Sequence, residues 1–115
     1  MQYLFVFDRA PYGSWKDREL LDMAFSAAAF DQSVGLYFTR DGVNWLRDDQ
    51  APSVIDQKSV ARHLGAAELF GLEGLFADQD SLDRFGLDEA SITLPVSVVT
   101  DLTALESNET RIIRL

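Results

Sequence analysis

The N-terminal stretch Met1-Gln2-Tyr3-Leu4-Phe5-Val6-Phe7-Asp8-Arg9-Ala10-Pro11-Tyr12-Gly13-Ser14 decides the fold. Tyr3 to Phe7 is an unbroken apolar run with no alternation, the pattern of a strand buried on both faces. The loop from Asp8 to Gly13 follows. Ser14 is a good helix N-cap, and Asp17 three residues later completes a capping-box-like pair. A helix is expected from Trp15 to Phe30. A buried strand that leads through a short loop into a long helix is the opening half of a βαβ unit, and so of a parallel sheet.

The rest of the chain repeats this alternation. Val34 to Thr39 reads as a second strand, and Asp41-Gly42 as a turn pair. Val43 to Leu46 fits one helical turn. Asp56 to Phe70 has apolar spacing at Val60, Leu64, Ala67 and Phe70, and Gly71 suits its C-terminal cap. Leu72 to Ala77 is expected as a third strand and Gln79 to Phe85 as a short helix ended by Gly86. Leu94 to Val99 is expected as a fourth strand, Asp101 to Asn108 as a last helix, and Thr110 to Leu115 as a closing strand. These expectations add up to one α/β domain over residues 1–115, a three-layer α/β/α arrangement around a five-stranded parallel sheet with right-handed crossovers.

Composition narrows function. The 115 residues carry 10 Lys and Arg against 19 Asp and Glu, a formal net charge of −9. Nucleic-acid affinity comes mainly from basic residues that neutralise phosphates, so direct nucleic-acid binding is not expected. The same charge argues against an anionic membrane surface. No apolar run approaches the ~20 residues that span a bilayer, and the first residues read as a strand rather than a signal peptide. A cytoplasmic protein is expected. There are no cysteines, which removes disulfides, thiolate ligands and any cysteine nucleophile.

The first helix suggests a partner. From Leu20 to Phe30 only Asp22 and Ser26 are polar, whereas a surface helix normally keeps one polar face. One face covers the sheet; the rest calls for another helix or a second chain. Tyr12, Trp15, Phe25, Phe30 and Trp45 are the candidate interface residues, because large aromatics are enriched at interface centres. The alternative for the loop aromatics is that they cap the edge of the core.

Candidate chemistry gathers at the strand ends, where open parallel sheets bind ligands. Asp8, Asp41, Asp78 and Asp101 all fall there, a set that could hold a cation or serve helix caps and turns instead. Arg9 with the amides near Gly13 and Ser14 could hold an anion. Asp78, Asp80 and Asp83 read most simply as a solvated helix start. His63, the one histidine, has no visible nucleophile beside it. No dinucleotide or P-loop glycine pattern is present, and no cofactor is expected.

One series is more specific. Arg9-Ala10-Pro11-Tyr12-Gly13-Ser14 follows the first strand, then Arg18-Glu19-Leu20-Leu21-Asp22, Ala27-Ala28-Ala29-Phe30-Asp31 and Asp41-Gly42-Val43-Asn44-Trp45-Leu46. This series resembles the TusC/DsrF branch of the DsrE/DsrF family, with Leu20 where that pattern has glycine. The resemblance implies a parallel sheet ordered 4-3-2-1-5. It also implies assembly with TusB-like and TusD-like sister subunits as a heterohexamer, passing persulfide sulfur toward 2-thiouridine at the tRNA wobble position. DsrF-like counterparts act in dissimilatory sulfur oxidation. In such complexes the sulfur-carrying cysteine belongs to the TusD/DsrE-like subunit, at the start of the short helix after the third strand. Here that place falls on Asp78, so the resemblance implies a non-catalytic subunit. The competing reading is a stand-alone enzyme or small-anion binder built on the strand-end carboxylates and Arg9.

Overall fold

The computed structural model describes residues 1–9, 15–30, 32–46, 72, 74–88, 92, 96–107 and 109–114, with backbone alone at 15–18. Ala10, Pro11, Tyr12, Gly13, the side chain of Trp15 and the helix expected at 56–70 with His63 lie outside the described residues.

The chain runs β1 (Tyr3–Phe7), α1 (Trp15–Ala29), β2 (Val34–Phe38), a 3₁₀ helix (Arg40–Leu46), β3 (Gly74–Asp78), α2 (Gln79–Arg84), β4 (Val96–Val99), a second 3₁₀ helix (Leu102–Ala104) and β5 (Arg111–Ile113). All strand pairs are parallel, and the sheet order is β4-β3-β2-β1-β5. This is the α/β sheet and strand order expected from the sequence.

β1 and β2 occupy the middle of the sheet and are apolar on both faces, because neither face meets water. Phe5, Phe7, Val34, Leu36 and Phe38 point to one side, where α1 seats Leu20, Leu21, Ala24 and Ala28. The spacing 20, 24, 28 puts those residues on one helix face. Leu4, Val6 and Tyr37 point to the other side, joined by Phe76, Ile112 and the leucines Leu102 and Leu105. Helical segments thus lie on both faces of the sheet.

The first 3₁₀ helix locks this arrangement at the carboxyl end. Trp45 is fully buried, its ring 5.2 Å from that of Phe7, which itself stacks on Phe38 at 5.1 Å. The indole Nε1 donates to the Arg9 carbonyl at 2.8 Å. Gly42 sits against the end of β1, and a Cβ there would collide with the Phe7 carbonyl. The Asp41-Gly42 pair, expected as a turn, is therefore the start of a helical segment. Its glycine is required for close backbone approach rather than for a turn conformation.

One element departs from expectation. The helix expected from Asp101 to Asn108 is only the 3₁₀ turn Leu102–Ala104. Leu102 and Leu105 reach the second core, while Thr103, Ala104, Glu106 and Ser107 are exposed. That gives apolar anchorage for one turn and no more. The Ser107 hydroxyl then bonds the Thr110 hydroxyl at 2.8 Å and accepts from the Glu109 amide at 3.3 Å. Such local side-chain bonds compete with helix continuation.

Replacing Trp45 by Ala is expected to destabilise the fold by about 3–5 kcal/mol, as large aromatic truncations in cores do. Trp45→Phe is expected to lose roughly 1–2 kcal/mol, from the unsatisfied Arg9 carbonyl and lost volume. Urea unfolding monitored by circular dichroism checks both values and their order.

Candidate functional site

Because the central strands exclude polar groups from their length, the polar side chains collect at their carboxyl ends. Asp78 closes β3 and caps α2. Its Oδ2 accepts from the Ser81 amide at 3.0 Å and from the Ser81 hydroxyl at 2.8 Å. The Ser81 hydroxyl also accepts from the Arg40 amide at 2.7 Å and lies 3.5 Å from the Thr39 hydroxyl. One serine thus ties the end of β2 to the start of α2. Arg40 has φ 52°, a left-handed conformation that a long side chain adopts at some cost, and the bond to Ser81 holds it there.

Asp78 is 7% exposed, so the solvated helix start expected at 78–83 holds for Asp80 and Asp83 but not for Asp78. Capping draws the first carboxylate inward, while the next two point outward. Its Oδ1 is buried with no hydrogen bond of good geometry among the described residues. Burial alone would raise this carboxyl. Thr39 and the Ser81 hydroxyl and amide outweigh burial and hold it below its ordinary value. The nearby Tyr37 phenol is pushed up by burial and by the charges of Asp78 and Asp101, against an opposing contribution from Thr39.

The other strand-end acids are spent locally rather than brought together. Asp8 lies 3.8 Å from the Arg9 guanidinium. Asp41 is exposed on the 3₁₀ helix, and its carbonyl accepts from Asn44 at 2.9 Å. Asp101 caps the second 3₁₀ helix, accepting from the Thr103 amide at 2.9 Å and from its hydroxyl. Among the described residues no three His, Asp or Glu side chains are placed to hold a metal ion.

The candidate interface residues separate. Trp45 belongs to the core and offers no surface; the buried Phe7–Trp45 contact competes successfully for a residue expected at an interface. Phe25 is half-buried against that core. Phe30 is 78% exposed, and Met23, one helix face away from Leu20 and Ala24, is 45% exposed. The solvent side of α1 thus mixes Glu19, Asp22 and Ser26 with the exposed Met23, and Phe30 follows just past its end. On the edge strand β4, Val98 is exposed and Val96 half-buried. There a cleft of about 340 Å³ is lined by Leu82, Leu87, Val96 and Val98, with Asp83 and Asp88 among its walls.

Sequence reading missed Ser81, Thr39 and Arg40. The Asp78-x-x-Ser81 spacing was the available signal, since a capping aspartate seeks the amide three residues on.

The lowered carboxyl of Asp78 has a consequence for acid stability. A carboxyl depressed by folding contributes stability that is present above its unfolded value, near 3.8. That contribution is lost as pH falls through the lower folded value. Below about pH 4 the wild type is expected to lose stability more steeply than Asp78→Asn, which keeps a capping oxygen but has no charge to titrate. Urea midpoints measured from pH 7 to pH 2 check the difference in slope.

The DsrE/DsrF-like family profile matches residues 1–115. The Protein TusC homolog of Pseudomonas aeruginosa is 35% identical over 98 residues, covering 85% of this chain and 82% of that protein. The Protein TusC homolog of Haemophilus influenzae is 33% identical over 108 residues, covering 92% and 91%. The crystal structure of the ychN protein from E. coli superposes with a TM-score of 0.79 at 16% identity, over 98% of this chain and 99% of that one, a likeness of fold. With the parallel β4-β3-β2-β1-β5 sheet already established, these matches show that the chain belongs to the DsrE/DsrF-like family.

Proposed function

We propose that this chain is an assembly subunit of a sulfur-relay complex of the TusBCD/DsrEFH kind. In that role it joins TusB-like and TusD-like sister subunits in a cytoplasmic heterohexamer that moves persulfide sulfur toward 2-thiouridine at the tRNA wobble position. The observation that carries the reading is Asp78. It stands at the start of the short helix after β3, where the family resemblance puts the sister subunit's sulfur-carrying cysteine. A persulfide forms on a thiolate, and a carboxylate that caps a helix offers none. With no cysteine in the sequence, no other residue takes over that step. The names of the two relatives support the same placement in the family.

What the chain has to offer is surface. Met23 on α1 and Phe30 just past its end are exposed large apolar side chains, the kind of group that marks a protein interface when it forms a contiguous patch. The net charge of −9 leaves tRNA contact to partners with more basic surfaces. No described helix is long and apolar enough to cross a membrane.

The test is native mass spectrometry of this chain co-expressed with its sister subunits, with Phe30→Asp as the variant. The wild type is expected as a heterohexamer. The variant is expected to leave the isolated chain's stability within about 0.5 kcal/mol, because position 30 is exposed. It is expected to weaken assembly more than tenfold, because it buries an unpaired charge. A wild-type chain that stays alone refutes the relay role, and a Phe30→Asp chain that assembles normally removes α1 from the interface.

A further inference from the structure

A second cleft opens on the opposite face of the sheet from α1, at the carboxyl ends of β1, β2 and β5. It has a volume of about 180 Å³. Val6 and Leu102 form its apolar floor, and Tyr37, Thr39, Arg40, Asp8 and Arg114 its polar walls. The placement follows from strand alternation. Leu4, Val6, Tyr37 and Ile112 all belong to this face, so Asp8, Thr39 and Arg114, each an even step further along its strand, emerge on the same side.

The chemistry of the walls is unlike the rest of the molecule. The chain is acidic, with only 10 Lys and Arg, yet two arginines line one small cleft. Among the described residues neither Arg40 nor Arg114 has a side-chain ion pair. The one carboxylate on the wall, Asp8, is engaged by Arg9 at 3.8 Å. Tyr37 is buried, and burial keeps its phenol protonated, with hydrogen bonds to Thr39 and Asp78. Arg40 is held at φ 52° by its amide bond to Ser81. Strained backbone of this kind persists only where the surrounding structure enforces it, and it clusters at binding sites.

From this we infer a small-oxyanion site, in which the Arg40 and Arg114 side chains hold a free tetrahedral anion of the phosphate or sulfate class, beside Tyr37 and Thr39 hydroxyls that are themselves bonded to Asp78. Guanidinium forks match such oxygens bidentately. The carboxyl edge of a parallel sheet is where ligands of α/β folds sit. The volume is below the roughly 300–1,000 Å³ of pockets for drug-sized molecules, which limits the occupant to an ion of a few heavy atoms with its waters. The cleft lies on the opposite face of the sheet from α1, and anion binding there requires no sulfur transfer, so the site stands or falls independently of the relay role.

The test is titration of the full-length chain with inorganic phosphate at constant ionic strength, followed by ¹⁵N–¹H NMR. Saturable shifts are expected at the amides of Thr39, Arg40, Leu102 and Arg114, with a Kd in the millimolar range. Arg114→Gln is expected to weaken binding by about tenfold through loss of a charge-assisted pair. Arg40→Asn is expected to do the same while keeping the fold, because asparagine tolerates the left-handed conformation. Non-saturating shifts, saturation centred on other residues, or unchanged affinity in both variants would each overturn the site.

Discussion

β1 and β2 have no face left for water. Phe5, Phe7, Val34, Leu36 and Phe38 fill one side, and Leu4, Val6 and Tyr37 the other. A strand in this position tolerates no charged side chain along its length, so the polar residues of the sheet are displaced to its ends. At the carboxyl end the loops must also satisfy the last backbone groups of the strands. The Thr39 amide donates to the Phe7 carbonyl at 3.0 Å, and the Gly42 amide to the Thr39 carbonyl at 2.8 Å. Gly42 has no side chain to obstruct these contacts, and Trp45 seals them from solvent while satisfying the Arg9 carbonyl. Among the described residues, these strand-end groups are thus satisfied by the chain itself, before any ligand or partner is considered.

That edge divides into two parts with different character. Over β2 and β3, Asp78, Ser81, Thr39 and the Arg40 backbone are joined by a run of hydrogen bonds centred on Ser81. A carboxylate stabilised in this way is a structural cap, poorly suited to exchange protons or bind substrate. Over β1, β2 and β5 the side chains of Arg40 and Arg114 face a small open cleft. Arg40 belongs to both parts: its amide serves the cap, and its side chain lines the cleft. The chain thus has a capping carboxylate at the end of β3, arginines beside it and exposed apolar side chains at and just past α1.

Much of this was legible in the sequence because the signals were local or periodic. Continuous apolar runs marked β1 and β2, and the strand–helix alternation gave a parallel sheet whose order, implied by the family resemblance, the structure reproduces. Gly86 at φ 65° ends α2 as a left-handed cap should. What was not legible depended on contacts far apart in the chain. Trp45 read as an interface candidate or a cap of the core edge, and Phe7, distant in sequence, draws it into the core. Asp78 looked solvated beside Asp80 and Asp83, but Ser81 and Thr39 bury it. The helix expected from Asp101 to Asn108 lasts only one turn, because after Leu105 the described residues Glu106 and Ser107 are exposed. Arg40 and Arg114 are far apart in sequence, and only the β2-β1-β5 order brings them to one cleft.

The central claim is that this chain contributes surface and not sulfur chemistry. The measurement that tests it most directly is sulfur transfer by the reconstituted complex, with and without this chain, using labelled persulfide and intact-mass analysis of every subunit. The account predicts that transfer through the cysteine-bearing partner depends on this chain while label never becomes covalently attached to it. Label bound to this chain, or transfer that proceeds equally well in its absence, would contradict the account.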